Sequence, residues 1–507
     1  MTKTRATLLA LTLSTCGGSA GTGNTADTSG GPAIAAQQQS AKNTAPTALD
    51  RTFQRLGAEF IKDGKADGLS VAVIQDGKAS FYNFGTTSRY KPQVPTEHTV
   101  YEIGSITKVI TGLILGQAVV EGKANLQDDV RRYLPGEYPK LVSDGEPVRL
   151  IHLVNTTSAL PDNLPDPFAL FAKADPQKIP FLAVEALDRY TDEAFLTDLG
   201  SSSLVGKPGE TPRHSNVAAN LLGYILGKVY DAPYGTLVAR YVEQPYGMHS
   251  GTDLSRASST ATGYGKGDGV MPLLSARSVL ASGGLHYSTA DMARFLSAQL
   301  AGTDPAVHLS QQPAWGDIDK MAIGFNWRIS KTVDGKRRLW HTGGTFGFSS
   351  YIEMYPELHY GIVLLANRAG AAQDQLQVLA ETALEELRGK PFALKALEDA
   401  LASSGFRNVG RTVADVRRQH PGLHLTEDYV NQWGYRLMGE NKPKLAVGLL
   451  EFNAEQWPKS GNAFDSLAEA YRQLGDVKRA TSNYRRSLEL DPSNKNAVEH
   501  LRKLGQH

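Results

Sequence analysis

This chain of 507 residues has one cysteine, few long apolar runs and nearly equal numbers of positively and negatively charged residues. Cys16 is the single cysteine, so an intramolecular disulfide is excluded. The 53 Lys and Arg residues balance 52 Asp and Glu residues, which leaves no field to attract nucleic acid, and no nucleic-acid partner is expected. Neither an HExxH motif nor a paired Cys/His pattern is present, so the prediction is no metal and no other cofactor.

The N-terminal residues are typical of an export signal. Basic residues precede the apolar run 8–13, which is far shorter than the ~20 residues of a transmembrane helix. The sequence Leu-Ser-Thr-Cys-Gly that follows resembles the lipobox of bacterial lipoproteins, and the resemblance implies lipidation of Cys16. We therefore expect a signal peptide over residues 1–16 and a periplasmic protein tethered to the membrane only through Cys16; the alternative is ordinary signal cleavage beside an incidental cysteine. Residues 17–47 are mostly small or polar, which predicts a flexible linker.

Hairpins at both ends of the next region predict the fold class. Residues 69–74 and 79–84 are strand-like runs joined by Asp76-Gly77, a turn sequence. Further strands are predicted at 325–329, 338–341, 350–354 and 361–366. With helices between the two sets, the pattern favours an α+β domain over residues 48–390, with one antiparallel sheet, flanking helices and a helical subdomain.

Residues 427–507 repeat with a period of 34 residues. The matching positions are Gly434 and Ala468, Leu437 and Tyr471, Ala446 and Ala480, Leu450 and Tyr484, and Pro458 and Pro492. This period and these residue types resemble the tetratricopeptide repeat, a helix-turn-helix unit. The resemblance implies an α-helical repeat region that follows a helical connector at 391–426, with a protein partner bound through residues 427–507.

Ser105 and Lys108 are the strongest candidates for catalysis. A serine hydroxyl is a poor nucleophile until a base removes its proton, and a lysine three residues later lies on the same face of a helix. We expect burial and neighbouring positive charge to keep the Lys108 amine neutral. In the first helical turn, the backbone N–H of Ser105 would lie at the positive end of the helix dipole. The alternative is a capping serine with a solvated lysine, which the adjacent apolar run 109–115 disfavours.

Two later segments complete a pattern. They are His214-Ser215-Asn216 and His341-Thr342-Gly343-Gly344. In order and spacing, these segments and Ser105-x-x-Lys108 resemble the SxxK, YxN or SDN, and K/H-T-G motifs of the serine β-lactamase, DD-peptidase and family VIII esterase superfamily. The resemblance extends over most of residues 50–390 and implies the β-lactamase/transpeptidase-like fold.

The resemblance implies a role for each motif residue. Ser105 would be the acylated nucleophile and Lys108 its general base. His214, where relatives have tyrosine or serine, would carry the proton to the leaving group. The residues implied to bind substrate are Asn216, which would also orient Lys108, and His341, Thr342 and Gly343. The backbone N–H groups implied to form the oxyanion hole are those of Ser105 and Gly344.

The predicted function is an exported serine hydrolase that cleaves an ester or amide of a small molecule or peptide through an acyl-enzyme on Ser105. An imidazole at 214 differs from tyrosine in size and charge, which moves the prediction from β-lactams towards esters and D-amino-acid peptides. Its protonation predicts a rate that falls below about pH 6–7. His341 in place of lysine predicts weaker recognition of a substrate carboxylate at alkaline pH. The alternative function is a catalytically weak penicillin-recognising envelope protein whose repeats bind a protein partner.

Overall fold

The computed structural model of the chain describes residues 45–249, 251–252, 257, 259–274, 276–492 and 494–504. The predicted signal peptide, Cys16 and most of the predicted linker lie outside the described residues and remain predictions. Within the ranges described, no helix is both long enough and apolar enough to cross a membrane.

The longer strands lie at the two ends of the first region; helices and four short strands lie between them, and helices follow. The strands are β1 (Gly68–Gln75), β2 (Lys78–Gly85), β3 (Val100–Glu102), β4 (Val142–Ser143), β5 (Glu146–Pro147), β6 (His286–Ser288), β7 (Trp315–Asp317), β8 (Met321–Ile323), β9 (Arg328–Lys331), β10 (Arg337–Gly344), β11 (Ser349–Tyr355) and β12 (Tyr360–Ala366). The α-helices are α1 (Ala48–Lys62), α2 (Thr107–Val120), α3 (Leu150–Val154), α4 (Pro167–Leu170), α5 (Ile179–Asp188), α6 (Asp192–Ser201), α7 (Asn216–Tyr230), α8 (Tyr234–Val238), α9 (Gln244–Tyr246), α10 (Thr289–Ala301), α11 (Pro305–Ser310), α12 (Ala372–Arg388), α13 (Phe392–Ser404), α14 (Val409–Gln419), α15 (Glu427–Gly439), α16 (Pro443–Gln456), α17 (Gly461–Leu474), α18 (Val477–Leu490) and α19 (Lys495–Lys503). This order of elements is that of an α+β domain followed by helices.

The main sheet has eight strands in the order β2-β1-β12-β11-β10-β9-β8-β7. Its first hairpin turns at Asp76 and Gly77, whose φ angles of 50° and 75° suit a two-residue hairpin turn. Strand β1 then pairs antiparallel with β12, with Leu69 opposite Ala366. The prediction that strands from both ends of the region share one antiparallel sheet is confirmed.

Helices cover both faces of this sheet. On one face, Phe53 of α1 and Leu376 of α12 belong to one apolar cluster with Ile362 of β12. On the other face, Leu296 of α10 lies against Gly361, the neighbour of Ile362, since successive strand residues point to opposite faces. Helix α2 is buried over the whole of residues 107–116, as its continuous apolar sequence predicts.

The chain divides into two compact units. Unit 1 contains the described residues of Met1–Asp317, Met321–Ser330 and Arg337–Leu387, and unit 2 contains those of Ile318–Lys320, Lys331–Lys336 and Arg388–His507. Two short segments of unit 2 therefore come from the range 48–390 that the sequence assigns to the hydrolase domain. The longer one belongs to unit 2 because Val333 packs against the core of that unit and accepts a hydrogen bond from the His424 N–H at 2.8 Å.

Unit 2 is helical and repeats along the chain. Helices α15 and α17 begin 34 residues apart, at Glu427 and Gly461, as do α16 and α18. A Cβ on Gly434 would lie 2.7 Å from the Leu450 side chain, so glycine allows α15 and α16 to pack closely. The predicted helical region with its 34-residue period is present, and membership of the tetratricopeptide family remains a prediction.

The segment 391–426, predicted as a connector, is folded into the same unit. It forms α13 and α14, and Leu397 and Val413 from these helices are buried in one apolar cluster with Trp433 of α15. The core of unit 2 therefore begins before the repeats.

Candidate active site

Ser105 lies at the junction between a short 3₁₀ turn and a buried helix. The turn spans Gly104–Ile106 and runs directly into α2 at Thr107. Gly104 has a φ of +51°, a conformation that glycine adopts without strain, and Ser105 is 8% exposed. The hydroxyl thus lies at the N-terminal end of α2, where the helix dipole favours negative charge.

Strand β10 packs its glycines directly on the backbone beside Ser105. A Cβ on Gly343 would lie 2.1 Å from the carbonyl oxygen of Ile103, and a Cβ on Gly104 would lie 2.6 Å from Gly344 N. Side chains at these positions would force the strand away from the turn. Glycine therefore allows the backbone at Gly344 to lie against the turn that contains Ser105, and the oxyanion hole formed by their N–H groups stays a prediction.

The Lys108 amine contacts three oxygen atoms inside the protein. Its Nζ lies 2.9 Å from Ser105 Oγ, 2.6 Å from Asn216 Oδ1 and 2.8 Å from the carbonyl oxygen of Ser282. The residue is 3% exposed. The oxygens of Asn216 and Ser282 only accept hydrogen bonds, whereas the serine hydroxyl can donate. A neutral amine fits this set, because its two N–H groups serve the two acceptors and its lone pair accepts the Ser105 proton.

Burial lowers the pKa of Lys108 from an ordinary 10.5 to about 7. The charged group that acts on it is Asp162, whose carboxylate raises that pKa. The expectation that neighbouring positive charge helps to neutralise Lys108 is therefore wrong; loss of water around the amine does so against an opposing anion. Near pH 7 a large share of the amine is the free base that can deprotonate Ser105.

Asn216 is the first residue of α7, and the loop around Pro161 positions it. Ser215 caps the helix, and its hydroxyl donates to the carbonyl oxygen of Pro161 at 2.7 Å. The Asn216 amide accepts from Lys108 at 2.6 Å and donates from Nδ2 to Asn163 Oδ1 at 2.8 Å. Both ends of the amide are thus hydrogen bonded within the protein. The contact that would orient Lys108 is present, and binding of a substrate amide stays a prediction.

His214 immediately precedes the capping serine of α7 and pairs with Asp162. Its Nδ1 lies 2.6 Å from Asp162 Oδ1. Because a carboxylate only accepts, Nδ1 carries a proton and Nε2 holds the lone pair of the neutral ring. The side chain is 47% exposed. Partial burial and the charge of Lys108 lower the pKa of His214, while Asp162 raises it.

His341 lies on β10, and its Nδ1 is 2.7 Å from the carbonyl oxygen of Thr342. That carbonyl can only accept, so Nδ1 carries the proton and Nε2 can accept a hydrogen bond. Burial, with the charges of Arg328 and Lys108, lowers the pKa of His341 to about 3. The ring is therefore neutral at ordinary pH. The expectation that His341 loses carboxylate recognition at alkaline pH is wrong, because the ring has no positive charge to lose.

Arg328, on the strand next to β10, supplies the positive charge instead. The positive charge of its guanidinium lowers the pKa of both His214 and His341. Arg328 is exposed, and among the described residues no carboxylate forms an ion pair with it. Arginine stays charged at any working pH. Of the residues that the structure describes, Arg328 is thus a cation on β9 that no carboxylate pairs with.

Sequence reasoning missed Asp162, Arg328 and the carbonyl of Ser282. Asp162 and Arg328 belong to no motif. Every residue has a backbone carbonyl, so the sequence does not show which carbonyl accepts a hydrogen bond from Lys108. One signal was available. An imidazole at 214 needs a partner that fixes which nitrogen carries the proton, and a carboxylate is the usual partner.

Comparisons with known proteins give the family and the fold of the chain. The family model described as Beta-lactamase matches residues 49–385. A beta-lactamase of Pseudomonas fluorescens is 25% identical over 339 residues, which cover 59% of this chain and 88% of the relative. The D-alanyl-D-alanine-carboxypeptidase/endopeptidase AmpH of Escherichia coli K12 is 24% identical over 345 residues, or 64% of this chain and 86% of the relative. The solved structure of an octameric penicillin-binding protein homologue from Pyrococcus abyssi has a TM-score of 0.58 at 24% identity, covering 69% of this chain and 82% of that one.

The chain belongs to the beta-lactamase family. It is a serine hydrolase of that superfamily, as its three motif segments predict. The predicted β-lactamase/transpeptidase-like fold, followed by a helical region, is likewise confirmed.

Proposed function

We propose that this protein is an exported hydrolase that forms an acyl-enzyme on Ser105 and cleaves an amide or ester next to a free carboxylate, as in a D-amino-acid peptide. The observation that carries the proposal is the 2.9 Å contact between Lys108 Nζ and Ser105 Oγ inside the protein. A buried amine whose pKa is about 7 is a suitable base for this serine. The names of the relatives, a beta-lactamase and a D-alanyl-D-alanine-carboxypeptidase, support the same reaction class.

Acylation begins when Lys108 takes the Ser105 proton as Oγ bonds to the carbonyl carbon of the substrate. The backbone N–H groups of Ser105 and Gly344 stabilise the oxygen that becomes negative, at roughly 2.7–4 kcal/mol for each donor. The proton then reaches the leaving amine or alcohol through His214 as the bond to the carbonyl carbon breaks. Water attacks the resulting ester, releases the acid and restores Ser105.

Arg328 favours a substrate with a free carboxylate. A carboxylate beside this guanidinium makes a charge-assisted hydrogen bond, which is stronger than a neutral one. An uncharged ester can react with Ser105 but gains nothing from Arg328. We therefore expect an acyl-D-amino-acid peptide to be a better substrate than a neutral ester, and a panel with short esters, a D-Ala-D-Ala peptide and a chromogenic cephalosporin ranks the three classes.

Hydrolysis of a p-nitrophenyl ester by Ser105→Ala tests the nucleophile. The rate is expected to fall at least about 10³-fold, because no other group can hold the acyl chain. Ser278→Ala is the matched control, since the Ser278 hydroxyl donates to the Leu187 carbonyl at 3.0 Å and takes no part in the reaction. A wild-type rate in Ser105→Ala would show that the nucleophile is another residue.

Export and tethering through Cys16 are part of the proposal and are supported by the N-terminal sequence. Cells that express the full chain and are grown with radioactive palmitate are expected to label it in the membrane fraction. Cys16→Ala is expected to lose both the label and the membrane association. Equal labelling of both chains would contradict tethering at Cys16.

A further inference from the structure

Asp162 and His214 form a hydrogen-bonded pair beside the buried Ser105 and Lys108. The two side chains are 24% and 47% exposed, and Nδ1 and Oδ1 are 2.6 Å apart. The carboxylate can only accept, so it selects the ring form with the proton on Nδ1. The pair therefore presents an unprotonated Nε2 whenever His214 is neutral.

Backbone contacts hold Asp162 in place independently of its carboxylate. Its carbonyl oxygen accepts hydrogen bonds from the N–H groups of Asn216 at 2.8 Å and Val217 at 3.3 Å. These residues begin the helix that His214 leads into. Carboxylate and imidazole are therefore fixed relative to each other by one helix start.

A second route connects Asp162 to the nucleophile. Its Oδ2 accepts from Asn163 Nδ2 at 3.2 Å, and Asn163 Oδ1 accepts from Asn216 Nδ2 at 2.8 Å. Asn216 Oδ1 in turn lies 2.6 Å from Lys108 Nζ, which contacts Ser105. One carboxylate thus connects to both bases of the site.

The two bases, Lys108 and His214, differ in their exposure to solvent. Lys108 is 3% exposed and in contact with Ser105 Oγ. The His214 side chain is 47% exposed. The water that hydrolyses an acyl-enzyme comes from solvent, which reaches the imidazole and not the amine.

We propose that Asp162 is a positioning residue that holds His214 as the base for the water that deacylates Ser105. The inference rests on the proposed acyl-enzyme. Asp162 fixes the proton on Nδ1, leaves the Nε2 lone pair for water, and stabilises the imidazolium that forms. Lys108 is then the base of acylation, and His214 is the base of deacylation.

The deacylation step balances without any further reactant. Water gives one proton to His214 Nε2 as its oxygen bonds to the acyl carbon. The bond between that carbon and Ser105 Oγ then breaks, and Oγ takes the proton from the imidazolium, directly or by way of Lys108. The products are the free acid, the serine hydroxyl and a neutral imidazole.

Stopped-flow hydrolysis of a p-nitrophenyl ester by Asp162→Asn separates the two half-reactions. We expect a burst of one equivalent of nitrophenolate, since Ser105 and Lys108 are intact and nitrophenolate leaves as an anion that needs no proton from His214. A steady-state rate about 10²–10⁴-fold below that of the wild type should follow. Asp166→Asn is the matched control in the same loop. Asp166 caps α4 by accepting from the Phe168 N–H at 3.0 Å, and its loss is expected to leave both phases unchanged.

The pH profile distinguishes positioning from a structural role. The charged groups that act on the pKa of His214 are Lys108, Asp162 and Arg328, and His214 in turn lowers the pKa of His341. Asp162 raises the pKa of both His214 and Lys108, so Asp162→Asn is expected to move the acid limb of the rate to lower pH. If the substitution only loosened the site, the rate would fall at every pH and the acid limb would stay at the same pH.

His214→Gln provides an independent check if Asp162→Asn folds poorly. It is expected to show the same burst followed by slow turnover, and the double variant is expected to be no slower than His214→Gln alone. Fast steady-state turnover in Asp162→Asn or His214→Gln, or full additivity of the two losses, would overturn the inference. If the wild type forms no acyl-enzyme on Ser105, the proposed function fails instead.

Discussion

Two buried asparagines, one in each unit, have very different surroundings. Asn216 in unit 1 is 5% exposed, and its amide is hydrogen bonded to Lys108 and Asn163. Asn453 on α16 of unit 2 is 0% exposed, and among the described residues neither end of its amide has a hydrogen-bond partner. Burying an unpaired amide costs free energy, whereas a paired one can be held in a defined orientation.

Burial of a polar group therefore does not by itself indicate a catalytic role. In unit 1, a lysine, an asparagine, a serine and a backbone carbonyl are buried against one another, and each restricts the others. In unit 2, the buried asparagine lies on α16 between Phe452 and Ala454, which both belong to the apolar cluster of that unit. A reactive group needs the first arrangement, because its proton must have one defined acceptor.

Removing Lys108 breaks the arrangement in unit 1 most severely. Lys108→Met has a side chain of similar length but no basic group. The kcat/KM for a p-nitrophenyl ester is therefore expected to fall about 10²–10⁴-fold. Lys123→Met, just beyond the same helix, is the matched control and is expected to react at the wild-type rate. A Lys108→Met rate within a few-fold of the wild type would show that Ser105 has another base.

Arg328→Ala tests whether the unpaired guanidinium of Arg328 binds the carboxylate of the substrate. For an acyl-D-alanyl-D-alanine peptide, KM is expected to rise about tenfold or more, because a charge-assisted hydrogen bond is lost. For the same peptide with a C-terminal amide, KM is expected to change little. Arg337→Ala is the control on the neighbouring strand, where Arg337 pairs with Glu357 at 2.9 Å. Equal effects on both peptides would rule out carboxylate recognition by Arg328.

The acid limb of the wild-type rate tests whether burial tunes Lys108. Its pKa of about 7 predicts that kcat/KM falls as the pH drops through 7, since the protonated amine cannot accept the Ser105 proton. The fall should approach tenfold per pH unit well below the pKa. Circular dichroism over the same range controls for unfolding. A rate that rises only towards pH 10 would show that Lys108 behaves as an ordinary solvated lysine.

Asn453→Leu removes the unpaired amide of unit 2 and has the smallest expected effect of these variants. Replacing an unpaired buried amide by an apolar side chain of similar size is expected to raise the free energy of unfolding by about 1 kcal/mol, with kcat unchanged. Urea denaturation of the full chain measures the free energy of unfolding, and ester hydrolysis measures kcat. Asn216→Leu is the counterpart in unit 1, and it is expected to lose activity. A less stable Asn453→Leu would mean that the amide is satisfied in solution.

Features that could be predicted from the sequence are local ones. Asp76-Gly77 predicts the first hairpin because few residue pairs adopt the backbone angles of that turn. The continuous apolar sequence of α2 predicts that this helix is buried. The motif segments around Ser105, His214 and His341 could be recognised because their spacing along the chain reflects contacts that the fold requires.

The remaining features depend on contacts between segments far apart in sequence. Asp162 reaches His214 only because its backbone is bound to the start of α7, and Arg328 acts on the site from a neighbouring strand. The protonation of Lys108 and His341 follows from burial, which a motif does not reveal. The sequence therefore predicts the nucleophile and its base better than the groups that set their protonation.

Mass spectrometry of the acylated protein tests the central claim most directly. The chain is mixed with a p-nitrophenyl ester, quenched in acid during turnover, and digested. We predict an added mass of one acyl group on the peptide that contains Ser105, its absence in Ser105→Ala, and its persistence in Asp162→Asn. An acyl group on a different residue, or turnover with no acylated peptide at any quench time, would contradict Ser105 as the nucleophile.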